Sequence, residues 1–402
     1  MAITFVSQPE QFDPICNPTL FVFESDETGQ DNFSFVVEVY VQSALISTHQ
    51  VFPEDGDTGK FDISSIGRAI IVNNFPDPAN IAEQLMDTSQ TFSIYVYEKY
   101  GTPPEVQVGS LEASSGFTFL NAAFRQEQWL SWDYENYDMS EASGTRLFLT
   151  DFPRDRRDLV GYNDYKYLSI INSDSNNCTC SIVLYDITDS VIASATFIGV
   201  LATGLTIPLV QVSPESLVSG TSLVIGDFTN CYYYTIEIYQ TATPTKDSEI
   251  YRIYFDQSCS NYPRYRLHWL NKFGAWDSFT FNLLSEDSTE IEATRYSRRT
   301  GRWEGGDYQY ALSDGNRMTM NKSMSDKLIL NSDWMHEDVQ QWLVRELYES
   351  PRVYLQKDFG SDVLEPVNVT NANYTLKQRR KDGLIQEAVQ IDRTYTYYTQ
   401  LG

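Results

Sequence analysis

Apolar and polar residues alternate along most of this 402-residue chain. In NFSFVVEVYVQ (residues 32–42), Phe33, Phe35, Val37, Val39 and Val41 share one face. Ser34, Glu38 and Gln42 share the other, with Val36 and Tyr40 among them. Successive side chains of a strand point to opposite sides of its sheet, so this period of two predicts a half-buried strand. The pattern returns at residues 91–100, 180–188, 231–240, 249–255, 277–284 and 387–400. The apolar run 190–210 is broken by Ser, Thr, Gly and Pro and predicts two or three buried strands. DETGQDN, EDGDTGK, NSDSNNC, SDGN and RKDG carry the chemistry of turns between strands. Short strands with polar turns predict layered β-sandwiches.

Two segments follow a helical period instead. In FDISSIGRAIIVN (61–73), Ile63, Ile66, Ile70 and Ile71 predict a short helix or turn of 3₁₀ helix. In NSDWMHEDVQQWLVRELYESP (331–351), Val339, Trp342, Leu343 and Leu347 form a stripe at offsets of three and four. Ser332 or Asp333 is positioned to cap that helix, Glu337 and Asp338 suit its positive N-terminal end, and Pro351 stops it. The expected helix therefore covers 333–350 and lays its stripe on a sheet.

Composition shifts divide the chain into three blocks. Residues 1–115 and 116–247 each read as an immunoglobulin-like β-sandwich, separated near EASSGF and closed near TATPTKDS. Residues 248–402 read as a β-sandwich or split barrel flanked by the one helix. The expected class is mainly β.

A net charge of -26 argues against nucleic acid and anionic membrane as default partners. Local basic clusters at Arg154, Arg156 and Arg157, at Arg298 and Arg299, and over 377–381 read as ion pairs or solvated charge. The five cysteines (Cys16, Cys178, Cys180, Cys231 and Cys259) lack zinc spacing and read as buried or free thiols. The start, MAITFVSQPEQFDP, lacks the basic and apolar regions of a signal peptide, and no run is long enough to span a membrane. The expectation is a soluble protein made in the cytoplasm.

Catalytic patterns are missing from the sequence. His49, His268 and His336 do not fall at metal-ligand spacing, and no nucleophile elbow, phosphate loop or H-E-x-x-H motif occurs. The oxygen-rich stretches 55–62 and 172–177 are weak Ca²⁺ candidates that read first as turns. Acidic pairs are too numerous for the sequence to choose a glycosidase dyad. We therefore assign no catalytic, cofactor or metal residue and expect a protein that is not an enzyme.

RLHWLNKFGAWDSFTF (266–281) concentrates aromatic residues. As a sugar platform it would expose Trp269 and Trp276. As core it would be a hairpin turning at Asn271 and Gly274, with Leu267, Trp269, Phe279 and Phe281 inward and His268 directed away. The structural reading is preferred.

Residues 11–41, GKFDISSIGRAI, the stretch 266–281 and the run from LVRELYESPRVYLQ to RTYTYY resemble structural proteins of tailed bacteriophages and prophages of Bacteroidetes hosts. The C-terminal block is similar to the tail-tube and distal-tail fold. The resemblance implies a virion component of tail, neck or baseplate that assembles as a symmetric ring. Its partners would be itself and other tail or neck proteins. The alternative is a module of the same particle that binds carbohydrate or a host receptor, with a host-surface glycan as ligand. Exposure of Trp129, Trp132, Trp269 and Trp276 separates the two.

Overall fold

The computed structural model describes residues 3–54, 57–84, 88–141, 144–174, 176–200, 207–241, 247–257, 262–357, 364–370, 373–376 and 384–400. The protein is mainly β, built from antiparallel sheets with one parallel strand pair, Asp158–Val160 beside Tyr251–Phe255. It divides into two compact units. One holds Met1–Gln257 and Leu270–Ser278, the other Ser258–Trp269 and Phe279–Gly402.

The first unit begins with a sandwich. Strands Thr4–Ser7, Leu20–Glu24 and Thr58–Asp62 form one sheet. Phe117–Leu120, Ser89–Tyr100, Ser34–Val41 and Ala44–Val51 form the main path of the other. The alternation read from residues 32–42 is realised, since Phe33, Phe35, Val37, Val39 and Val41 are all buried. They meet Phe21, Phe23 and Phe61 of the facing sheet in one core cluster. Edge-to-face contacts such as Phe23–Phe35, with ring centroids 4.8 Å apart, fix the layer spacing. The expected short helix is present as Ser64–Ile70, and Ile66 and Ile70 pack against the same core.

Farther along this unit, five strands are ordered Asp158–Val160, Tyr251–Phe255, Tyr233–Gln240, Cys178–Tyr185 and Val191–Val200. A three-stranded sheet joins Tyr167–Ser169, Pro208–Gln211 and Ala82–Gln84. The third of these strands lies more than a hundred residues before its partner Pro208–Gln211, so the two N-terminal sequence blocks share a sheet. Residues 190–210 were expected to form two or three buried strands, and 201–206 lie outside the described residues. Instead, Val191–Val200 is an edge strand with Val191 60% exposed, whereas Pro208–Gln211 is buried along its length. An edge strand has only one neighbour, and small residues such as Ala193, Ser194 and Thr196 tolerate that exposure.

The second unit is organised on a seven-stranded sheet. Its order is Trp276–Phe281, Tyr265–Leu270, Val353–Gln356, Leu364–Val369, Ala388–Tyr398, Arg317–Asn331 and Glu286–Ser297. The expected helix is present but shorter, at Glu337–Glu349. Ser332 and Asp333 do not cap it, because Met335 and His336 are drawn into antiparallel pairing with Ile385 and Leu384. The predicted stripe is otherwise intact, with Val339, Trp342, Leu343 and Leu347 buried. The Trp342 ring lies 5.2 Å from that of Trp269 on the sheet. The turn expected at RKDG lies outside the described residues.

Trp342→Ala removes most of that contact. It is expected to cost about 3–5 kcal/mol, read as an earlier urea transition of the second unit. A change below about 1 kcal/mol would mean that the helix is not held by its stripe.

Candidate functional site

The aromatic stretch 266–281 is core. Strands Tyr265–Leu270 and Trp276–Phe281 flank a turn of the expected length. Asn271 organises the turn. Its Oδ1 accepts from the backbone N–H groups of Phe273 and Ala275, at 3.0 Å each. Its Nδ2 donates to the Leu149 carbonyl and to Asp277 Oδ2. Gly274 adopts φ +78, and its carbonyl accepts from Asn73 Nδ2. Trp269 and Trp276 are 0% and 2% exposed, so neither can serve as a sugar platform. Phe279 is only half-buried, while His268, expected to point away, is fully buried. The strand is covered on both faces, and His268 Nε2 lies 3.1 Å from Gln356 Oε1.

The other two tryptophans named for a sugar-binding role, Trp129 and Trp132, are half-buried. Trp132 stacks on Tyr137 at 5.1 Å and packs against Phe124 and Phe273. With Gln128, Asp133, Asn136, Asp151 and Lys272 these residues line a cavity of about 170 Å³. Pockets for drug-sized ligands usually run to roughly 300–1,000 Å³, so this one is small by that measure. Its two carboxylates are engaged, Asp151 with Lys272 and Asp133 with the Glu135 N–H.

Arg154 and Arg156 of the first basic cluster line a larger cleft of about 330 Å³ with Phe152, Tyr251, Arg252 and Tyr254. Arg154 makes a two-pronged contact with Glu249, at 2.8 and 2.7 Å. Arg156 pairs with Asp155 at 3.2 Å. Arg157 lies over Tyr254 and Arg252 over Tyr233, at 5.2 and 4.5 Å from the ring centroids. These guanidiniums are tied to local acids and rings.

Among the described residues no group of three or more His, Cys, Asp or Glu side chains is placed to hold a metal. Asp55, Gly56 and Ser175 of the two Ca²⁺ candidates lie outside the described residues. Cys16, Cys178, Cys180 and Cys231 are free thiols, and burial pushes Cys178 and Cys231 up to about 12. Cys259 lies outside the described residues. No described helix is long and apolar enough to cross a membrane.

One extended exposed surface is not revealed by the sequence pattern. Glu286–Ser297 and Arg317–Asn331 pair antiparallel from Glu286 opposite Ile329 to Ser297 opposite Arg317. Every residue of Glu286–Ser297 is exposed except Ala293, which is half-buried. Both faces of this strand are therefore open. At a rise of about 3.3 Å per residue the strand extends roughly 40 Å. Beyond it Arg302–Glu304 pairs with Asp307–Gln309 around Gly305 and Gly306. The arm carries Ile291, Trp303, Tyr310 and Leu312 in solvent, at 57%, 71%, 73% and 109% exposure. Tyr395 and Tyr398 on the neighbouring strand Ala388–Tyr398 are likewise exposed. Arg295, Arg298, Arg299, Arg302 and Arg317 make its outer half locally basic. Glu286–Ser297 is also the last strand of the seven, with one edge unpaired. Alternation cannot reveal such an arm, because neither face is a core face.

No family model matches the chain, and no curated protein sequence matches it. The crystal structure of CBD12 from CALX1.2 matches over 61% of this chain and 84% of that one, at 9% identity and a TM-score of 0.19. The structure of a tetra-tandem repeat from the extending region of a large adhesion protein matches over 99% and 89%, at 8% identity and a TM-score of 0.21. Similarity this slight carries no argument about fold or function.

Two glycines separate turn strain from packing. A Cβ at Gly274 would stand 2.6 Å from the Asn121 carbonyl oxygen, whereas one at Gly305, also at positive φ, would meet nothing within 4 Å. Gly305→Ala is expected to cost about 1 kcal/mol and Gly274→Ala about 2–3 kcal/mol, compared in urea melts. Equal losses would remove the packing argument for the buried turn.

Proposed function

We propose that this protein is a non-enzymatic structural component of a tailed-phage virion, in the tail, neck or baseplate, and that copies of it assemble into a symmetric ring. The resemblance of the sequence to such proteins motivates the reading. The observation that carries it is the arm at residues 286–316, exposed on both faces and ending in an unpaired strand edge. An isolated strand pair is marginal in water, and an open edge is a template for another strand. Large apolar side chains on such an arm belong under a neighbour.

Charge identifies the neighbour. The arm's outer half is basic, while the chain as a whole carries -26. An acidic body on a second copy complements it, and repetition of one such head-to-tail contact closes a ring. The absence of a catalytic motif from the sequence is consistent with work done by surfaces. A glycan-binding role has less support, since two of the four tryptophans it needed are buried and the aromatic cavity is small.

Negative-stain images and light scattering of the purified protein are expected to give rings of uniform diameter. The double variant R298E/R299E is expected to shift the population to monomer at least tenfold, with unchanged circular dichroism. A wild-type protein that stays monomeric across the accessible concentration range, alone and with phage tail proteins, would overturn the reading.

A further inference from the structure

The first unit buries a lysine in an arrangement that does more than pair charges. Lys166 Nζ lies 2.8 Å from Asp158 Oδ2, with the two side chains 0% and 5% exposed. The Tyr251 hydroxyl donates to the same Oδ2 at 2.8 Å. The rings of Phe152 and Tyr251 each lie 5.8 Å from Nζ. The pair is an ion contact by distance, and no hydrogen-bond partner of Nζ is found among the described residues. A second carboxyl, Asp277, is buried nearby. Its Oδ2 accepts from the Thr150 hydroxyl and from Asn271 Nδ2, while Oδ1 has no hydrogen-bond partner among the described residues. Burial raises the Asp277 carboxyl above the usual carboxylate range; Lys166 lowers it and Asp158 raises it.

One ammonium and two carboxyl groups are thus gathered in a solvent-shielded place. An ammonium with a single partner is also poorly compensated there. Moving one proton across the Lys166–Asp158 contact gives a neutral amine and a neutral acid. Those are the reactants of an amide condensation, already held at contact distance.

We propose that Lys166 and Asp158 form an intramolecular isopeptide bond, with the buried Asp277 as the nearby charge that favours proton release. The Lys166 ammonium gives a proton to the Asp158 carboxylate. The freed Nζ lone pair attacks Asp158 Cγ and forms the C–N bond. A nitrogen proton passes to the departing hydroxyl, its release favoured by the nearby Asp277 charge, the C–O bond breaks and water leaves. Amine plus acid gives amide plus water, with no oxidant or cofactor. Shielding from solvent then protects the amide from hydrolysis. The bond would tie the strand Asp158–Val160, in the five-stranded sheet, to the residue next to Tyr167–Ser169, in the three-stranded sheet. It is thus a covalent staple between two sheets, and it is independent of the ring assignment.

Intact-mass measurement of the folded full-length protein tests this. The expected result is a loss of one water, about 18 Da, with a branched peptide joining the segments that contain residues 158 and 166 after digestion. K166R and D277N are expected to show the full sequence mass. Wild-type protein at the full mass would overturn the proposal, as would a water loss mapped elsewhere, such as a succinimide. Water loss persisting in folded D277N would overturn the role of Asp277.

Discussion

The first unit depends on keeping charge out of water under compensation. Lys166, Asp158 and Asp277 are buried together, with Lys166 paired to Asp158. Taking one such ion from water costs several kcal/mol unless partners replace the lost hydration. Apolar burial alone is permissive about position, whereas this group is not. The Asp277 carboxylate accepts from Thr150 and Asn271, and the Asn271 amide also reaches the Leu149 carbonyl. The turn Leu270–Ser278 is therefore placed by directional bonds, with Phe75 packed on Trp276 at 4.8 Å and Phe124 on Phe273 at 5.4 Å. The aromatic density that draws attention in the sequence is the packing around that polar anchor.

Much of the fold was legible because its signals are local. The strand at Ser34–Val41 and the helix at Glu337–Glu349 bury the residues their periods single out. Non-local effects account for the misses. The helix starts late because Leu384 and Ile385, almost fifty residues on, recruit Met335 and His336 into a strand. His268 is buried because its strand is covered on both faces, a state in which alternation carries no direction. The charge group was missed for the same reason, although a lysine between two tyrosines in DYKYLSII was an available sign of a buried cation.

The candidate surface was less legible than the fold. The residues of 286–316 are polar and apolar without period, since no face of the arm meets a core. Sequence reading looks for concentrations of chemistry and found one at 266–281, which is interior. The exposed arm announces itself only through accessibility: Trp303 and Leu312 stand in solvent, where an isolated unit has no use for them.

The open edge has a further consequence. A straight, bare strand edge attracts any extended peptide and feeds disordered fibres. Glu286–Ser297 differs in two ways: its register with the neighbouring strand slips between Thr294 and Arg295, and arginines follow at 295, 298 and 299. The slip bends the ribbon, and guanidiniums resist stacking against identical ribbons. A bent, charged edge is a poor template for casual strand addition, so it works against the clumping that a straight bare edge invites.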